Sequence, residues 1–118
     1  MQIQKGQYIL EVSGYFQGTP FHVLGRIKVD AVVLAPSTRD SRSGGIAQVG
    51  TANLHNETAN MFLQESPEGT RIEFTSEYDQ FHAKKFYADQ RADGTIVLSG
   101  TGEDIGVFGA HGTITRAL

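Results

Sequence analysis

Phe21-His-Val-Leu-Gly-Arg-Ile-Lys-Val-Asp-Ala-Val-Val-Leu-Ala35 alternates over its whole length. The odd positions Phe21, Val23, Gly25, Ile27, Val29, Ala31, Val33 and Ala35 are apolar or glycine, and the even ones include His22, Arg26, Lys28 and Asp30. A period of two puts successive side chains on opposite faces, so this stretch predicts a long β-strand with one buried face. A helix would scatter the same residues around all its sides. Gly25 in the middle predicts a bend of the kind that curls a sheet.

Working outward, Gln7 to Phe16 places Tyr8, Leu10, Val12 and Phe16 on one face, and Gln17-Gly-Thr-Pro20 turns the chain into the next strand. The two strands read as a hairpin. Arg71-Ile-Glu-Phe-Thr-Ser-Glu-Tyr78 alternates as cleanly after the turn Pro67-Glu-Gly69. Its Ile72, Phe74 and Tyr78 face inward, and Arg71, Glu73, Thr75 and Glu77 face water. Asp93-Gly94 is a hairpin signal between Phe81–Gln90 and Thr95–Gly100, and the last strand runs over Ala110–Ala117. Pro36 to Gly45 reads as a polar loop. Between Gly45 and Glu65 the sequence predicts two strands, Ile46–Leu54 and Thr58–Gln64, around a turn at His55-Asn-Glu57. A short helix from Glu57 to Glu65 is the alternative.

These segments add to about eight strands joined by short turns, with no sustained helical period. An open sheet of that size leaves two edges exposed, and closure removes them. The expectation is an all-β, single closed antiparallel barrel of about eight strands over residues 1–118, with Phe21, Val23, Ile27, Val29, Ile72, Phe74, Ile96 and Leu98 inward. Such a barrel has room for side chains and one small ligand.

Composition narrows the function. The 118 residues contain no cysteine, which excludes disulfides, thiolate-held metals and a cysteine nucleophile. A net charge of −3 with dispersed Lys and Arg argues against nucleic acid. The opening Met1-Gln-Ile-Gln-Lys-Gly-Gln7 has no apolar stretch of signal-peptide length. No run approaches the roughly 18 apolar residues of a membrane helix. A soluble cytoplasmic protein that does not engage a membrane is the expectation. The 14 glycines exceed ordinary usage and lie between alternating segments, which points to turns and bends rather than disorder.

The C-terminal stretch Leu98-Ser-Gly-Thr-Gly-Glu-Asp-Ile-Gly-Val-Phe-Gly-Ala-His-Gly-Thr-Ile-Thr-Arg-Ala-Leu118 is rich in glycine. A Gly-x-Gly after a strand can open a dinucleotide site, but only with a helix and a second strand behind it, and about a dozen residues follow Gly106. Gly102, Gly106 and Gly109 are therefore expected to serve backbone geometry and to bind no phosphate. The pattern Gly100-Thr-Gly102, Gly106-Val-Phe-Gly109 and Gly112-Thr-Ile-Thr115 resembles the closing segment of the allene-oxide-cyclase-like barrels, which include dirigent proteins and spiro-ring-forming cyclases. The resemblance implies a barrel that folds an apolar substrate inside its cavity without a cofactor, and a homodimer or homotrimer. Ile9, Val32 and Leu34, on otherwise polar faces, are the residues that fit an intersubunit contact.

The residues offer few catalytic signatures. His22, His55, His82 and His111 show no metal-ligand spacing, and no metal is expected. His22 shares a face with Arg26 and Lys28 and reads as a surface residue, and His111 as a surface or barrel-mouth residue. No Gly-x-Ser-x-Gly elbow is present. Phe81–Gln90 is where pattern and burial conflict: either phase sends a lysine inward, or the strand is bulged. An inward lysine could orient a ligand or move a proton; a lysine snorkelling at the rim is the bland reading. Tyr8, Phe16, Phe62, Phe74, Tyr78 and Phe86 can line one cavity or simply pack a core. The expected catalytic pair is Tyr78 and Lys84, and the expected ligand-binding residues are Phe62, Phe74, His82 and Phe86, at one barrel mouth. Three functions follow: a cofactor-free cyclase or isomerase of an apolar metabolite held in the lumen, a non-catalytic lipocalin-like carrier, or an interaction protein with a filled core. A cavity of a few hundred Å³ would favour the first two.

Overall fold

The computed structural model describes residues 1, 3–30, 45–54, 57–76 and 81–117, with the backbone alone at 45–47. The strands are β1 (Gly6–Phe16), β2 (Thr19–Val29), β3 (Gly45–Leu54), β4 (Glu57–Ser66), β5 (Gly69–Thr75), β6 (Lys85–Gln90), β7 (Ile96–Gly100) and β8 (Val107–Arg116). Each pairs antiparallel with the next, and β8 returns to β1, closing a barrel in simple sequence order. Among the described residues no helix is long and apolar enough to cross a membrane.

The β1–β2 hairpin is regular. Its register runs unbroken from Gly6↔Val29 to Phe16↔Thr19, and Leu10, Val12, Ile27 and Val29 are buried on the shared inner face. All eight residues expected to face inward do so. Ile27, Val29, Ile72, Phe74, Ile96 and Leu98 are buried, while Phe21 and Val23, nearer a barrel end, are partly buried against the same core. Removing such side chains from water stabilises the fold by about 1.5–3 kcal/mol each. At Gly25 a Cβ would stand 2.8 Å from the Asn53 carbonyl oxygen, so close strand approach explains this glycine.

Residues 57–65 form a strand. Ala59, Met61 and Leu63 are buried in alternation, which a helix could not arrange. The same alternation corrects the placement of Phe62. Three apolar residues of one parity outweigh one phenylalanine of the other, so Phe62 lies half-buried on the outer face, opposite Gln48 and Glu73.

The glycine-rich segment is built from bends. Gly102, Gly106 and Gly109 have φ of 83°, 79° and 62°, a region that side chains disfavour. At Gly109 the β1–β8 register slips between Ser13↔His111 and Tyr15↔Phe108, so two residues of β8 oppose Gly14 alone. A left-handed glycine at such a bulge bends the strand and tightens its twist. The glycine of each residue trio thus has a backbone role. The polar loop expected over 36–45, the apolar Val32 and Leu34, and His55 lie outside the described residues, apart from Gly45.

Candidate functional site

The strand directions put the β1–β2 turn and the 101–106 loop at one end of the barrel, here the upper mouth. The N-terminal residues and the 91–94 turn lie at the lower mouth. Phe81 and Ala83 are buried, and so is Phe86, so the inward phase shifts by one residue between them. The ladder breaks at Lys84. Its carbonyl still accepts from Phe74 N at 2.8 Å, but the N–H groups of Lys84 and Lys85 both donate to Asp104 Oδ2, at 2.8 and 3.0 Å. One carboxylate thereby satisfies two donors that the irregularity removes from the sheet. The regular strand is shorter than the alternation suggests, beginning only at Lys85 with an unshifted β5 register, and no lysine is buried in the core: no polar or charged residue is buried among the described ones. Lys84 turns to the rim, where Nζ donates to the Ser76 carbonyl at 3.2 Å.

The consequence is a cleft of about 310 Å³ at the upper mouth, lined by Phe16, Phe81, His82, Lys84, Glu103, Asp104 and Ile105. His82 is stacked on Phe16, ring centroids 4.0 Å apart and 12° from parallel, with Phe21 tilted at 5.8 Å. Ile105 forms an exposed lip. Glu103 is held by Arg71, with Lys85 Nζ 3.9 Å away, and its N–H donates to Thr101 Oγ1 at 3.2 Å. Gln17 N donates to Gly106 O at 2.8 Å, tying the β1–β2 turn to the same loop.

Of the expected site, His82 and Lys84 meet at this cleft. Tyr78 lies outside the described residues. Phe74 and Phe86 are fully buried, packed edge to face with centroids 6.2 Å apart, and Phe81 stands 6.3 Å from Phe74. Phe74 and Phe86 belong to the packed core, and Phe81 also borders the cleft. Phe62 points away from the core. The interior cavity beneath the mouth, bordered by Leu10, Val12, Leu54, Phe74 and Phe81 among others, measures about 10 Å³. That is at the lower limit for one water.

Sequence reasoning missed Phe16 as a stacking partner and Glu103 and Asp104 altogether. The available signal was an acidic pair inside a run of glycines, next in space to a strand whose alternation failed. His22 and His111 are both exposed, as expected of surface residues. His22 Nε2 lies 2.8 Å from Glu11 Oε2, and His111 Nδ1 donates to Gly109 O at 3.0 Å. No protein-family model matches the chain, and no curated protein or solved structure gives a significant match. The fold and these residues therefore carry the functional argument.

Proposed function

We propose that this barrel is a binding protein that holds a small, largely apolar molecule at its upper mouth, without a catalytic lumen. One contrast among the described residues carries the reading: the cavity beneath the mouth is about 10 Å³ and the mouth cleft about 310 Å³. Ligand sites begin near 300 Å³ and join an apolar floor to a few polar groups. Phe16, Phe81 and Ile105 supply the floor, and His82, Lys84 and Asp104 the polar edge. No inward polar pair within hydrogen-bond reach is available for proton transfer among the described residues.

The test is titration with 1-naphthol, followed by NMR at the Ile105 methyls and the His82 ring. Saturable shifts confined to the upper mouth are expected, weakened tenfold or more by His82→Ala. Shifts spread over the surface, or none, would overturn the reading. The cyclase or isomerase implied by the family resemblance keeps one supporting observation, that Lys84 and two carboxylates border the same apolar floor. Its distinguishing outcome is turnover of a bound apolar substrate that Lys84→Met abolishes. The homo-oligomer stays a proposal of the same kind. Tyr15 and Phe108 are cross-strand neighbours on the outer face and are 51% and 71% exposed, a patch that fits a second copy. Ile9, half-buried opposite Arg26 and Thr115, adds to the same outer surface of β1.

A further inference from the structure

The lower mouth carries a larger cleft, about 560 Å³, and its chemistry differs from that of the upper one. It is lined by Ile3, Gln4, Tyr8, Arg91, Asp93, Thr95, Ile96 and Arg116 among others. Ile3, Tyr8 and Ile96 are buried and make an apolar floor. Above it, the Arg116 guanidinium lies 5.7 Å from the centre of the Tyr8 ring. Its Nη1 donates to Gln4 Oε1 at 3.1 Å and its Nη2 to the Lys5 carbonyl at 3.4 Å. Among the described residues, neutral acceptors and an aromatic face thus fix the guanidinium, and no carboxylate pairs with it. Arg91 lines the same cleft from the turn after β6. No described carboxylate lies within ion-pair distance of either guanidinium.

The one carboxylate in the lining is Asp93. Hydrogen bonds from Thr95, chiefly from its backbone N–H at 2.9 Å, hold its pKa below the ordinary value, with Arg91 adding a smaller electrostatic pull. Asp93 is therefore anionic at neutral pH, and the described lining carries one positive charge in excess on a chain whose net charge is −3. A local positive cleft on an acidic protein selects for anions.

We infer that the lower mouth is a second binding site, for a monoanionic small molecule with a carboxylate head and a flat apolar body. The guanidinium forks of Arg116 and Arg91 take the carboxylate, for which their planar donor geometry is suited. The body lies on Tyr8, Ile3 and Ile96. The inference stands independently of any ligand at the upper mouth.

The probe is benzoate, with its neutral isostere benzamide and inorganic phosphate as comparators, titrated into the parent, Arg91→Gln and Arg116→Gln by heteronuclear NMR. Benzoate should shift the Gly94, Thr95 and Ile96 amides saturably in the parent. Each variant should bind it at least tenfold more weakly, and benzamide should give no saturable shift. Arg91 sits on an exposed turn, so Arg91→Gln keeps the test valid if Arg116→Gln unfolds. Absent benzoate binding, equal response to benzamide, parent-like affinity in Arg91→Gln, or equal affinity for phosphate would each overturn the inference, the last marking an adventitious ion only.

Discussion

The β1–β2 hairpin and the arc from β6 to the 101–106 loop solve the same problem differently. The hairpin satisfies its backbone through an unbroken ladder, Gly6↔Val29 to Phe16↔Thr19. In the arc, β6 and β7 pair over Phe86↔Gly100 to Gln90↔Ile96, and a side chain, Asp104, takes over where the ladder stops. Clefts open at both mouths, and β1 contributes to each lining, Phe16 above and Tyr8 below. In the irregular half the Asp104 carboxylate ties the 101–106 loop to the start of β6, and Glu103, Asp104 and Ile105 of that loop line the upper cleft. The two regions differ in what satisfies the backbone, strand pairing in one and a side chain in the other.

Four substitutions test that contrast, from the largest expected effect to the smallest. Gly112→Ala attacks barrel closure, since a Cβ there would lie 2.1 Å from the Glu11 carbonyl oxygen. It should cost about 3 kcal/mol or more, read as a lower urea midpoint. A parent-like midpoint would refute the β1–β8 register. Asp104→Ala attacks the arc alone. Two N–H donors lose their acceptor, and a loss of about 2–3 kcal/mol is expected. Amide exchange should accelerate at Lys84 and Lys85 while the β1–β2 amides keep their protection. Uniform acceleration would show that the two halves are one cooperative unit.

His82→Ala removes the stack on Phe16 and should lower stability by about 1 kcal/mol, measured by thermal unfolding, without altering exchange in the hairpin. Asp93→Asn probes the lower turn. Because the folded pKa of Asp93 is depressed, its contribution is present above the unfolded value, near 3.8, and is lost as pH falls through the folded one. The substitution should lower the unfolding temperature slightly at pH 7, where that contribution is fully present, and flatten its acid-side dependence below about pH 4. An unchanged acid slope would dismiss the Asp93–Thr95 contact as energetically silent.

The fold was legible wherever one face of a strand is uniformly apolar. Phe21 to Val29 and Arg71 to Thr75 announced both their strand character and their inner face, because burial acts on every second residue. The same rule applied to Ala59, Met61 and Leu63 would have turned Phe62 outward, but a single large aromatic drew more weight than three smaller residues. The conflict over Phe81–Gln90 was legible as a conflict, with a bulge as one of its resolutions. The strand instead begins at Lys85, where Asp104, about twenty residues away in sequence, accepts hydrogen bonds from the two N–H groups that the ladder leaves.

Period-two burial, glycine punctuation and hairpin signals, all local, determined by themselves an all-β barrel and most of its core. Local pattern encodes which face is buried, since the hydrophobic effect acts on each side chain where it stands. Only the tertiary structure decided what the barrel contains and where it opens. Whether Phe74, Phe81 and Phe86 surround a lumen or fill it depends on how their rings pack against one another inside the barrel. Whether Arg91 and Arg116 share one mouth depends on the turn after β6 closing against the end of β8. Both are contacts between residues distant in sequence, and no periodicity carries them.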